Sequence, residues 1–382
     1  MDRPPGPAGD ADRIWRLRDA RIDPEGGAVF ADGRLRLEAA LQRGNGYHRG
    51  WRGSVPENPP RLSGRHLYGG TLFFHFGHFL TESLSRLWAV ADSGARSVLF
   101  TPKSLRGRQP PDPAGWQAEI LHRLGVTLPV RILYEPVEVE DLLVPAQGFG
   151  LGRLSQGTPA FRAFARELRP AGADHAPPGA ARVYLSRSRL PRKSGGILGE
   201  ARLERALADQ GFAIPHLQDH PLDEQLRRLS SARHLLGPDG SAFHLAGLVA
   251  APWQDFTLIR RRSAPDHAHI ADQIRGMGAS VRVVDALAAE WLRPGRDRAD
   301  AMSWGEPDYP ALSDRLLALG LIARPLALGG SDHGAELDLI RQAHKGSALH
   351  RIALAAADPA DPVPTVRPPR ARDHLSPGAQ DG

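Results

Sequence analysis

An α/β fold in two domains is what this sequence predicts, on three observations. Short apolar runs suited to buried strands alternate with amphipathic stretches of helical period. A breaker-rich segment from Arg169 to Ala180 separates two such series, as an interdomain linker would. At 382 residues the chain is also too long for one ordinary hydrophobic core and comfortable for two.

The elements follow in order. Turn chemistry from Asp23 to Gly27, with strand candidates Gly27 to Phe30 and Arg34 to Leu37, marks a small β-rich opening segment. A Gly69-Gly70 turn and an aromatic run lead into an amphipathic helix from Gly77 to Ala91, followed by a strand at Ser97 to Phe100. Trp116 to Leu124 reads as a helix capped by Gly125, with strands at Val130 to Tyr134 and Asp141 to Val144. Past the linker, strands Val183 to Ser186, Ala213 to Pro215, His234 to Gly237, Phe256 to Arg260 and Val281 to Val284 alternate with helices. Those helices are Glu200 to Gln210, Leu222 to Ser231, Ser241 to Ala250 and His267 to Met277. Short strands joined by helical crossovers imply a doubly wound parallel sheet. Helix candidates at Ala311 to Leu319 and Ala335 to Lys345 form an extension, and the Pro-rich end reads as disordered.

Composition narrows the function classes. An apolar fraction of 41% with 24% charge is that of a soluble globular protein rather than a disordered chain. No run approaches the roughly 20 apolar residues a membrane-spanning helix needs, and the start lacks signal-peptide character, so a cytoplasmic location is expected. With no cysteine, disulfides, thiolate metal sites and a cysteine nucleophile are excluded. The net charge of +6 is spread over scattered arginines, with no block that would make a nucleic-acid arm.

Three segments carry chemistry. In His75 to Trp88, a helix starting near Gly77 would set His78 and Glu82 one turn apart on one face, and Glu82 and Arg86 likewise. A carboxylate bonded to one imidazole nitrogen fixes the tautomer and leaves the other nitrogen free to take a hydroxyl proton. The same helix could instead be core, built on Phe79, Leu80, Leu84, Leu87 and Trp88. His75, His78 and Glu82 could also ligate a metal, although their spacing matches no zinc motif. Next, Val183 to Lys193 is a strand running into a basic loop, so Arg187, Arg192 and Lys193 fall where doubly wound sheets hold ligands and where a diphosphate could be clamped. Finally, Leu235 to Gly247 is a strand, a glycine turn and a helix start, whose Gly240 and Ser241 would offer backbone N–H groups to phosphate oxygens. It lacks the GxGxxG and P-loop spacings.

Taken in order, these segments resemble the glycosyltransferase 61 family, the capsular polysaccharide biosynthesis type formerly catalogued as a domain of unknown function. The resemblance rests on Gly77-His78-Phe79-Leu80, Glu82, Leu84 and Arg86-Leu87-Trp88, then Tyr184-Leu185-Ser186-Arg187, Gly211-Phe212, Glu224-Gln225, Gly237, Gly240-Ser241-Ala242 and His244, over about residues 25 to 290. It departs at Gly199-Glu200, where members often carry Asn-Glu.

Membership implies a GT-B-like α/β fold of two facing Rossmann-like doubly wound domains. The expected division is a disordered start (1–20), an acceptor-side domain (21–170), a linker (171–181), a nucleotide-sugar domain (182–290), a helical extension (291–355) and a disordered tail (356–382). The implied activity is inverting transfer from a nucleotide sugar to a hydroxyl of a cell-surface polysaccharide or glycoconjugate. His78 or Glu82 would be the base. Arg187, Arg192, Lys193, Gly240, Ser241 and His244 would hold the donor, with His75, Arg86 and Glu200 in support. The reaction is expected to need no metal or other cofactor. Its partners would be a nucleotide sugar and a glycan or glycolipid acceptor, with no nucleic acid, at a site compatible with peripheral association at the inner membrane face. A non-catalytic nucleotide- or glycan-binding protein and a metal-dependent hydrolase built on His75, His78 and Glu82 are the rival classes.

Overall fold

Two sheets organise the chain, and the alternation of side chains along their strands decides what each face meets. The computed structural model describes residues 12–105, 112–173, 175–177, 181–328 and 333–355. In the amino-terminal half the strands are β1 (Ile14–Asp23), β2 (Ala28–Ala31), β3 (Arg34–Leu35), β4 (Leu41–Arg43), β5 (Gly46–Arg49), β6 (Arg61–Leu72), β7 (Val98–Pro102), β8 (Val130–Ile132) and β9 (Val137–Pro145). Seven of them form a sheet in the order β3-β2-β1-β9-β6-β7-β8, while β4 and β5 pair as a separate hairpin. The sheet is mixed. The β9, β6, β7 and β8 ladders are parallel and the β1, β2 and β3 ladders antiparallel.

Two expectations are corrected here. Residues 14–20, read as disordered, lie in β1, because Arg16 and Arg18 point outward to Asp141 while Leu17 and Ala20 are buried beneath. Residues 1–11 lie outside the described residues. Gly69-Gly70 is not a turn but part of β6, where the register with β7 slips. A Cβ on Gly69 would sit 2.5 Å from the Phe100 ring and Gly70 has φ +94°, so the pair marks a bulge.

The second half begins with β10 (Arg182–Tyr184), β11 (Gly196–Ile197), β12 (Phe212–Ala213), β13 (His234–Pro238), β14 (Asp255–Ile259) and β15 (Ser280–Val284). Apart from β11 these form an all-parallel sheet in the order β12-β10-β13-β14-β15, as the βα alternation predicts. Its crossover helices are Glu200–Ala208, Leu222–Ser231, Ser241–Leu248 and Asp266–Gly276.

The extension expected to be helical contains more strand than that. Helices Tyr309–Ala318 and Gly334–Ala343 accompany β16 (Leu287–Leu292), β17 (Trp304–Pro307) and β18 (His350–Ala353), which join β11 in the order β11-β17-β16-β18. These strands escape sequence reading because β16 carries Glu290 inside its apolar run and β17 and β18 are only four residues each, with Glu306 in one and His350 and Arg351 in the other. The expected linker is described only in part, and the expected disordered tail from residue 356 lies outside the described residues.

Both faces of the parallel sheet are covered, so its strands send apolar side chains to both sides. Val183, Leu235, Phe256, Leu258 and Val281 point into a core shared with Leu67, Val98 and Phe100 of the first sheet. Tyr184, Leu236, Ile259 and Val284 point the other way, onto helices Glu200–Ala208 and Tyr309–Ala318. One continuous core therefore lies between the two sheets. It fixes the carboxyl ends of β10, β13 and β14 relative to the segment that follows β6.

Candidate active site

After β6 the chain turns sharply into a single helical turn, Phe76–His78, and then into a wider π-helical turn, Phe79–Ser83. The regular helix expected through Ala91 is absent, and a 3-10 turn at Leu87–Ala89 closes the segment. The widening is visible in the backbone: Leu84 N donates to Phe79 O at 3.2 Å. Ser83 pins the turn to the strand end, its hydroxyl donating to Thr71 O at 3.0 Å and accepting from Phe73 N at 2.9 Å. Phe79, Leu80 and Leu84 are buried in the shared core.

This winding still puts His78 Nδ1 2.8 Å from Glu82 Oε2. The Glu82 side chain is inaccessible, whereas that of His78 is 35% exposed. Arg43, on the β4–β5 hairpin, clamps the same carboxylate through Nε to Oε1 at 2.5 Å and Nη2 to Oε2 at 2.7 Å. Burial works to raise the Glu82 carboxyl, but the bonds from His78 and Arg43 prevail and hold it below its ordinary value. An ionised Glu82 accepts the Nδ1 proton of His78, leaving Nε2 as the open nitrogen. Burial, with His78, Lys103 and Arg187 nearby, holds the His75 imidazole below its ordinary value, which favours its neutral form.

Arg86 stands apart. It is buried, and its guanidinium donates to the Pro145 and Ala40 carbonyls rather than pairing with Glu82. The wider π turn takes it off the face on which an α-helix would have placed it. Burial lowers it to about 10.

On the other side, three adjacent parallel strands deliver polar groups at their carboxyl ends, where such sheets hold ligands. Arg187 follows β10, Asp239 and Gly240 follow β13, and Arg261 and Arg262 follow β14. Asp239 is fully buried, lying 3.4 Å from Arg261 Nε and 3.5 Å from Arg262 Nε, and Arg262 also reaches Asp266 at 3.2 Å. Arg261 donates to the Asp239 and Ser303 carbonyls at 2.8 and 3.1 Å. Burial and then repulsion from Arg187 push it down to about 9. Arg187 donates to Ser194 O at 2.7 Å and Gly195 O at 3.2 Å, while its buried Nε has no partner. Burial lowers it too. Guanidinium groups this desolvated favour an incoming anion.

A Cβ on Gly240 would meet the Arg187 guanidinium, which would have to shift to admit it. It is the N-cap of helix Ser241–Leu248, which carries no side-chain cap, so Ser241 is the first helical residue. Glu200 lies behind Arg187, outside the cavity lining. It accepts from Arg187 N at 2.9 Å and from Tyr184 Oη at 3.1 Å, and burial pushes it up to about 7. Arg192 turns away to Glu336 at 3.4 Å and lies over the Trp304 ring.

The two sides meet across one cavity of about 740 Å³. Its lining includes His75, His78, Arg187, Lys193, Gly240, Ser241 and His244. At Gly77 they touch: a Cβ would sit 3.3 Å from Ser241 Cβ and 3.5 Å from His244 Cδ2. The site thus gathers most of the residues singled out from the sequence, with Glu82 and Glu200 one layer behind and Arg86 and Arg192 elsewhere. Arg43, Asp239, Arg261 and Arg262 were missed. Arg261-Arg262 directly follow an expected strand, so the reasoning that found Arg187 could have found them; Arg43, 39 residues from Glu82, left no such signal. Among the described residues no group of three or more His, Asp or Glu is placed to hold a metal ion.

Cationic side chains at the strand ends of a parallel sheet thus face a carboxylate-held imidazole across one cavity, an arrangement whose chemistry suits an anionic ligand beside a proton acceptor. The family model described as Glycosyltransferase 61 matches residues 76–252 of the chain. The match runs from the His78 turn through Arg187 to the Gly240 turn and His244. No curated protein matches the chain. Among the described residues no helix is long and apolar enough to cross a membrane.

Proposed function

We propose that this protein is a glycosyltransferase that moves a sugar, with inversion, from a nucleotide-sugar donor to a hydroxyl of a cell-surface polysaccharide or glycoconjugate, a reading supported by the family match over residues 76–252. The reading takes the two halves as a GT-B-like pair, with acceptor chemistry on the first and the donor on the second. The observation that supports it is the single cleft shared by His78, Arg187 and Gly240.

In this mechanism the acceptor oxygen attacks the anomeric carbon from the side opposite the leaving group. Its proton passes to His78 Nε2, while Glu82 holds Nδ1–H and stabilises the imidazolium as it forms. The bond from the anomeric carbon to the diphosphate oxygen breaks, and the electron pair leaves with the diphosphate. In this reading Arg187, Arg261, Arg262, Lys193 and the Gly240-Ser241 turn, which line the cleft, take up that charge without a bound metal. The proposed setting is the cytoplasmic side of the membrane, reached peripherally when the acceptor is lipid-linked.

The test is nucleoside diphosphate release from a panel of nucleotide sugars, with and without glycan acceptors. His78→Ala should lower turnover by about 10²–10⁴-fold and leave nucleoside diphosphate affinity within about twofold. Turnover near that of the wild type would remove His78 from its role. No release from any donor, despite binding, would favour a non-catalytic nucleotide- or glycan-binding protein.

A further inference from the structure

His244 sits one turn into the helix that starts at the Gly240-Ser241 turn, and its ring lines the cleft. Gln273, from helix Asp266–Gly276, grips it twice. The amide Nε2 donates to His244 O at 2.8 Å, which leaves Oε1 as the acceptor facing His244 Nδ1 at 2.8 Å. Nδ1 must therefore carry the ring proton. The opposite nitrogen, Nε2, presents a lone pair, and the adjacent Cδ2 faces Gly77 of the base-bearing turn.

Burial pushes the imidazole down to about 4, against a smaller raising effect from the Gln273 hydrogen bond; the neighbouring His78 and His269 lower it further and Asp266 raises it. A neutral ring with a fixed lone pair repels phosphate oxygens, which have no proton to give. It accepts from a hydroxyl. The ring also lies between the phosphate-facing turn and His75-Gly77-His78, where the sugar of a bound donor would have to be.

Resting on the transferase reading above, we propose that His244 Nε2 is the acceptor that reads a hydroxyl of the donor sugar, with Gln273 as the positioning residue that keeps the lone pair aimed into the cleft. His244 is then a specificity determinant, distinct in kind from the arginines that take the diphosphate.

The test uses the full chain with ¹⁵N-labelled histidine. Long-range ¹H–¹⁵N spectra should show His244 with Nδ1 protonated and Nε2 bare at every pH from about 5 to 8, whereas Gln273→Leu should let the second tautomer or the imidazolium appear. Calorimetric titration with nucleoside diphosphates and matching nucleotide sugars supplies the second readout. His244→Phe should leave diphosphate affinity within about twofold while weakening the preferred nucleotide sugar by roughly 10–100-fold. Equal weakening of both ligands, or a wild-type His244 that titrates like a free histidine, would overturn the proposal and leave the transferase reading intact. If no nucleotide sugar binds the wild type, both fall together.

Discussion

Glu82 and Glu200 are both buried carboxyls, yet their surroundings drive them in opposite directions. Glu82 has two charge-assisted partners and stays ionised; Glu200 has a backbone N–H and a tyrosine hydroxyl on one oxygen, with its other oxygen unpartnered. The linkage signs differ accordingly. With its value depressed in the fold, Glu82 adds stability above its unfolded value and loses it on acidification. Glu200, raised to about 7 from 4.5, adds stability that is complete below the unfolded value and lost as pH rises through the folded one. The full swing corresponds to roughly 3 kcal/mol. Glu200→Gln keeps an oxygen for Arg187 N and removes the titration. Urea midpoints at about pH 5 and about pH 8 should therefore show the wild type losing stability relative to the variant as pH rises. Parallel pH curves would mean that Glu200 titrates normally.

At the level of elements, the parallel sheet was legible because each of its strands is a short apolar run closed by a turn, which is what burial on both faces requires. The first half was harder to read. Strand β1 alternates arginine with apolar residues and is held by Asp141, 125 residues from Arg16, so no local pattern announces it. The His78 segment has helical periodicity, and sequence cannot tell an α turn from the π turn that sends Arg86 into the core. Glycines were the most ambiguous: Gly69 and Gly240 look alike in sequence but have different duties. Gly69→Ala forces a Cβ against the Phe100 ring and should cost about 1–3 kcal/mol of stability, with nucleoside diphosphate affinity unchanged. Gly240→Ala pushes on the Arg187 guanidinium instead and should weaken that affinity at least about tenfold while the melting temperature changes little. Thermal melts and calorimetry on the pair check both, and the reverse pattern would contradict the assignment of Gly240 to the cradle.

For the whole molecule the decisive feature is that the two sheets share one core. Leu67 and Phe100 belong to the same cluster as Leu235 and Phe256. Polar contacts reinforce the seam: Gly152 N donates to His269 Nδ1 at 3.3 Å and Ser155 Oγ to Asp272 at 3.3 Å. Gly276 packs so closely on the Gln156 carbonyl that a Cβ would not fit. Residues 152–156 precede the breaker-rich segment, whereas 269–276 lie on a helix of the parallel sheet, so neither half can expose its core face without unmaking the other's. Calorimetry should consequently give one unfolding transition whose calorimetric and van't Hoff enthalpies agree. A nucleoside diphosphate bound at the strand ends should move that whole transition upward, by about 2.7 kcal/mol when present at about a hundred times its dissociation constant. Two separable transitions, with only one shifted by the nucleotide, would show that the halves fold independently. The cleft between His78 and Arg187 would then be set by a mobile hinge rather than by the common core.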